Sequence, residues 1–301
     1  MRILLTGGTG LIGQALCRLW SAQGHTLLVW SRRPEQVAAL CSSARGIAQL
    51  QELDDEPLDA VVNLAGAPIA DRRWSAARRQ LLWRSRVDLT RTLVDWLQRQ
   101  PVRPEVLISG SATGWYGDGG ERLLDEDSAS CGTDFGSQLC AAWEQEALRA
   151  QTLGMRVALI RTAPVLSPTG GMLARMRLPF QLGLGGQLGH GQQWMPWIHL
   201  DDEVGLIDFV LQHRECRGVF NACAPGMVRN AEFTQALART LRRPAVLGMP
   251  GWVLQLALGE MAVLLLGGQR LMARRAVEAG YVFRWEGVEA ALRDALHRQE
   301  R

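Results

Sequence analysis

The chain contains no lysine: all 33 of its basic residues are arginine. That absence removes a P-loop lysine, a Schiff-base lysine and any lysine acting as an acid or base. Tyrosine is nearly as scarce, with Tyr116 and Tyr281 alone. The six cysteines (Cys17, Cys41, Cys131, Cys140, Cys216 and Cys223) form no CxxC pair and no metal-ligand spacing, so no metal site is expected. With no signal peptide at the N-terminus they read as reduced thiols that mostly pack the interior, and the expected location is the cytoplasm. The longest apolar stretch, Trp252 to Leu266, is interrupted by Gln255, Gly259 and Glu260 and is too short to span a bilayer. A net charge of +3 gives no case for a nucleic-acid partner. What remains is a soluble chain of 301 residues, 47% hydrophobic and 21% charged, large enough for one domain or a domain with a smaller lobe.

The most informative segment stands at the start. Arg2-Ile3-Leu4-Leu5 reads as a buried strand and runs into Thr6-Gly7-Gly8-Thr9-Gly10-Leu11-Ile12-Gly13, after which Gln14 to Trp20 has helical periodicity. A strand that ends in a glycine turn opening a helix is a pyrophosphate cradle. Gly7 permits the tight turn, Gly10 lets the backbone approach the phosphates, and Gly13 allows helix and strand to pack closely. Unpaired amides at the helix start then face the anion.

Strand-like and helical runs alternate beyond it. The strand His25–Trp30 precedes a helix near 34–41, a weaker strand lies near 47–50, and Asp59-Ala60-Val61-Val62-Asn63 leads into Leu64-Ala65-Gly66. An amphipathic stretch follows from Ser75 to Gln100 and is ended by Pro101 and Pro104. The strand Val106–Ser109, a helix over 138–151, the strand Arg156–Arg161 and one more strand at 218–222 complete the pattern. Such alternation predicts an α/β fold, a doubly wound parallel sheet of Rossmann type with a smaller, mostly helical C-terminal lobe. The expected division is residues 1–165 with 199–222 for the nucleotide domain, and 166–198 with 223–301 for a substrate lobe.

Which nicotinamide cofactor fits is written at the end of the second strand. An NAD-binding chain usually places Asp or Glu there to hold the ribose 2′-hydroxyl. Here the strand ends Trp30-Ser31-Arg32-Arg33, with no acid. A guanidinium binds a 2′-phosphate through two charge-assisted bonds of about 1.5–3 kcal/mol each, enough for a tenfold or larger preference. NADP(H) is therefore expected, with Ser31, Arg32 and Arg33 as contacts. Asn63, Leu64, Ala65 and Gly66 are expected along the cofactor too, although such a tetrapeptide also suits strand-end packing.

Taken in order, the pieces Thr6–Gly13, Asn63–Gly66, Ser109-Gly110-Ser111-Ala112 with Trp115-Tyr116-Gly117, Ile198–Asp202 and Phe220-Asn221-Ala222 resemble the extended short-chain dehydrogenase/reductase superfamily. Arg73-Trp74-Ser75, Ser85-Arg86-Val87, the stretch Gly189–His199 and Gly280-Tyr281-Val282-Phe283 resemble its atypical NAD(P)-dependent epimerase branch, whose members have sometimes carried a SulA-like cell-division-inhibitor label. The resemblance implies chemistry by Ser, Tyr and Lys: tyrosine moves a proton to or from the substrate oxygen, and lysine lowers its pKa and holds the ribose. Ser111 matches the serine. The tyrosine and lysine positions fall on Phe135 and Leu139, groups that do not titrate.

Two readings of function follow. In one, the protein is an NADP(H)-dependent reductase or epimerase-like enzyme of unknown substrate, with Ser111 and Tyr116 as candidate catalytic groups. Ser109 and Arg161 face the cofactor, and Arg161 supplies the missing positive charge. In the other, it binds NADP(H) without turnover and reports cofactor state. Tyr116 also reads as a structural aromatic, Glu144 with Trp143 as packing and helix solvation, and His199 with Asp201 and Asp202 as fixing the chain's return to the sheet. His190, in a glycine-rich stretch, has two readings, a residue lining the substrate pocket or a solvent-facing loop histidine, of which the second is the commoner. The expected partners are a small molecule and, at most, a second copy of the chain: a monomer or homodimer, with no membrane.

Overall fold

Five consecutive strands build most of the main sheet and flank its switch point: β1 (Arg2–Thr6), β2 (Thr26–Trp30), β3 (Arg45–Ile47), β4 (Ala60–Asn63) and β5 (Val106–Ala112). The structure is a computed structural model, and it describes residues 1–297 apart from 43, 55 and 131. Cys131 thus lies outside the described residues, while the other five cysteines are free and buried. With Arg156–Thr162 and Gly218–Ala222, the strands form a seven-stranded parallel sheet in the order Gly218–Ala222, Arg156–Thr162, β5, β4, β1, β2, β3. Strand order reverses between β1 and β4, where Thr6 lies beside Asn63, and that switch point opens a crevice at the strands' C-terminal ends.

Strands buried on both faces read as continuous apolar runs, and alternate residues serve opposite layers. Ile3, Leu5, Val62 and Ile108 pack under α1 (Leu11–Ala22) and the helix Leu200–Gln212. Leu4, Val61, Leu107 and Leu159 pack under the helices Leu89–Arg99 and Phe135–Leu148. Polar bonds stitch each pair of helices: Trp20 Nε1 donates to Asp208 at 2.7 Å, and Trp143 Nε1 donates to Thr90 Oγ1 at 3.0 Å. A third apolar cluster, with Leu173, Trp197, Phe233 and Leu292, forms the C-terminal region. Two short parallel pairs, Val165–Leu166 with Ile198–His199 and Leu123–Leu124 with Arg270–Leu271, connect that region to the sheet.

Three local expectations shift. The amphipathic stretch 75–100 is not one helix: Ala76–Trp83 and Leu89–Arg99 are separated by a wide π turn over Arg84–Asp88. Ser85 explains the break, because its hydroxyl accepts from Ala67 N across the crevice while donating to Leu82 O. The helix expected from 138 begins at Phe135, since the Asp134 carboxylate accepts from the amides of Gly136 and Ser137 and caps it. The strand expected near 47–50 is Arg45–Ile47. Gly259, at φ 61°, ends the helix Gly251–Leu258, and among the described residues no helix is long and apolar enough to cross a membrane.

Candidate functional site

Glycine is required in the first turn by space as much as by backbone angle. Gly7 sits at φ 71°, and a Cβ there would lie 2.7 Å from the Leu64 carbonyl carbon. A Cβ on Gly13 would lie 2.3 Å from Gly7 O, and one on Gly8 would lie 2.8 Å from a Val29 methyl. Gly10 N closes the turn on Gly7 O at 2.9 Å. Helix α1 then starts at Leu11 with no side-chain cap and no acid in its first turn, which leaves its N-terminal field directed into the crevice. These residues fit a dinucleotide pyrophosphate. Ile12 packs against the core below α1, and Leu11 meets Gly170 and Gly171 from the C-terminal region.

Thr6, Asn63 and Ser109 are fully buried beneath this turn. Thr6 Oγ1 donates to Asn63 Oδ1 at 2.7 Å and accepts from Ala65 N at 3.0 Å. Asn63 Nδ2 donates to Thr90 Oγ1 and Ser109 Oγ. Their polar atoms serve one another, so they hold β1, β4 and β5 in register under the crevice. At the end of β2, Ser31 is half-buried and accepts from Arg33 N, and the side chains of Arg32 and Arg33 are exposed.

The other side of the crevice is charged. Ser111, near the end of β5, donates to Glu144 Oε1 at 2.6 Å. Arg161, its strand neighbour, bonds both oxygens of the same carboxylate at 2.8 Å. Both partners of this ion pair are buried, which corrects the reading of Glu144 as a packing and solvation residue. One signal in the sequence points the same way: Glu144 sits between Trp143 and Ala147 on the apolar side of its helix. The Arg161 guanidinium lies 3.4 Å from the Trp115 ring centroid, and its Nη1 has no hydrogen-bond partner among the described residues. Burial lowers the Arg161 pKa, but the bonds to Glu144 outweigh it and the net direction is up.

Tyr116 is completely buried, with its hydroxyl 2.9 Å from Asp125 O and 2.8 Å from Asn221 Oδ1. Burial pushes its pKa up to about 12, against the lowering effect of Arg161. Phe135 meets Trp74 edge-on at 5.2 Å, and Leu139 is buried with Trp74, Leu82 and Met261. A residue the sequence did not single out, Glu203, is wholly buried; Thr162 Oγ1 donates to it at 2.7 Å, and burial raises its pKa to about 8. His190 is exposed. His199, Asp201 and Asp294 bring ligand-type atoms within 4.8 Å of one another. His199 also caps its own helix, and Asp202 accepts from the amides of Arg284 and Trp285.

A model of the NAD dependent epimerase/dehydratase family matches residues 3–223, most of the chain. The chain belongs to that family. A second match, to a domain of unknown function, covers residues 249–295 of this epimerase-family chain. An epimerase family protein of Mycobacterium tuberculosis is 41% identical over 294 residues, covering 96% of this chain and 96% of the relative. A chloroplastic SDR39U1 homologue of Arabidopsis thaliana is 39% identical, covering 97% and 86%. The crystal structure of the human epimerase family protein SDR39U1 with NADPH superposes with a TM-score of 0.90 at 35% identity, covering 99% of each chain.

Proposed function

We propose that this epimerase-family chain binds NADP(H) in the crevice between β1 and β4 and acts there on a small molecule as an oxidoreductase or epimerase-like enzyme. The observation that carries the reading is the end of β2: Arg32 and Arg33 stand exposed there, and no Asp or Glu occurs between Gly24 and Pro34. The glycine turn holds the pyrophosphate, Leu64 to Gly66 flank it, and Ser31 with Arg32 take the 2′-phosphate. The NADPH-bound human relative supports this choice. Titration followed by tryptophan fluorescence tests it. NADPH binds at least tenfold tighter than NADH, and Arg32→Ala with Arg33→Ala removes the preference while leaving NADH unchanged. Equal affinities in the wild type overturn the reading.

At the chemical edge, Ser111 is the group we assign to the substrate oxygen. Its proton is held by Glu144, so its own oxygen remains available to accept from a ligand hydroxyl. Tyr116 already has two acceptors for its single proton and stays protonated at neutral pH, so it braces the loop below. The C-terminal region, residues 166–198 and 223–301, supplies the substrate side. A second reading, binding without turnover, draws on the Phe135–Trp74 contact, which puts two apolar rings where the resemblance expects a proton donor. Incubation with NADPH and panels of aldehydes, ketones and sugar nucleotides separates the two. Absorbance loss that Ser111→Ala abolishes supports the enzyme; tight binding with no turnover supports the sensor.

A further inference from the structure

Two arginines approach the chemical end of the crevice, and only one carries an uncompensated charge. Arg161 is neutralised by Glu144 through two bonds. Arg86, in the π turn, has one long side-chain bond, from Nη1 to Ser85 Oγ at 3.4 Å. The ionisable groups that act on it are Cys140, a fully buried thiol, and Arg78, a second cation. Burial lowers its pKa, and no carboxylate among those influences offsets the charge. Arg86 is half-buried, and a half-buried guanidinium with no carboxylate facing it has donors to give to a ligand's anionic oxygens.

Its position says which ligand. The guanidinium lies against Gly66, where a Cβ would come within 2.7 Å of Cζ and 2.9 Å of Nη2, so the glycine gives it room to lie on the backbone. It covers the Trp143 ring at 5.4 Å. Gly66 follows β4, on the side of the switch point away from β2, and Cys140 adjoins Leu139, where the resemblance expects the ribose-holding lysine. The π turn, a local irregularity often found at functional sites, puts Ser85 and Arg86 together on the loop after β4.

We propose that Arg86, and not Arg161, supplies the cation that holds the nicotinamide half of the dinucleotide, through its ribose and proximal phosphate oxygens. This rests on the NADP(H) reading above. Binding of two ligands tests it: NADPH, and adenosine 2′,5′-bisphosphate, which lacks the nicotinamide half. Arg86→Met weakens NADPH by about 10- to 100-fold and leaves the bisphosphate unchanged, while Arg86→Lys recovers part of the loss. Gly66→Ala, which displaces the guanidinium without removing it, weakens NADPH in the same selective way. Melting curves confirm that each variant is folded. Undiminished NADPH binding by Arg86→Met overturns the proposal, and so does an equal loss for both ligands, which makes Arg86 part of the scaffold. A wild type that binds neither ligand overturns the NADP(H) reading instead.

Discussion

The two sides of the crevice are held by different physics. Under the glycine turn, Thr6, Asn63, Thr90 and Ser109 form a neutral network in which each polar atom meets another. Across from it, Ser111, Glu144 and Arg161 form a buried ionic one. Neutral buried bonds contribute about 0.5–1.5 kcal/mol each and tolerate small shifts. A buried ion pair adds little net stability, but removing one partner leaves a bare charge. The nucleotide side therefore depends on shape, and the chemical side on charge balance.

The largest effect expected from breaking shape is at Gly13. Gly13→Val forces side-chain atoms into Gly7 O and the Gly8 backbone, which have nowhere to move, so calorimetry detects no nucleotide binding and the melting temperature falls. Charge balance breaks next. Glu144→Ala costs about 3–5 kcal/mol in denaturant unfolding, whereas Glu144→Leu combined with Arg161→Met recovers much of that because neither charge remains. Recovery that fails would mean the pair itself stabilises the fold.

The smallest effect sharpens the comparison through pH. Glu203 titrates at about 8 when folded, against a reference value of 4.5. The native state therefore keeps a proton that the unfolded chain releases, and this contribution falls as pH rises from about 4.5 to about 8, then stays flat. Glu203→Gln removes the decline. Relative to wild type, the variant gains on the order of 3–4 kcal/mol between pH 5 and pH 8.5, read from paired unfolding curves. A constant difference across that range would place the carboxyl in a more polar setting than its burial indicates.

What the sequence made legible follows the same division. The glycine turn was readable because its geometry is local: each restriction arises within about six residues or from the neighbouring strand end. The parallel sheet was readable because doubly buried strands leave apolar runs. Glu144 was misread because its counter-charge lies 17 residues away on a strand, and periodicity alone cannot tell an acid paired in the interior from one in solvent. Arg86 is visible in the sequence only as part of Ser85-Arg86-Val87 and not as a cofactor contact, because the lack of a facing carboxylate is a property of the folded surroundings. The start of the helix at Phe135 was legible in principle, since Asp134 stands where an N-cap belongs and Gly136 and Ser137 supply the amides.

The π turn at Arg84–Asp88 also constrains how this segment can change in length. A π turn closes its backbone hydrogen bonds one residue later than an α turn, so it holds one extra residue at nearly the same rotation and rise. Deleting one residue there would let the ordinary α-helical ladder close and leave Ala76–Trp83 and Leu89–Arg99 near their present orientation, with Leu82 still buried beside Leu139. Such a deletion would cost the present placing of Ser85 and Arg86 more than it costs the fold, whereas one inside either flanking helix would turn its apolar face by about 100°.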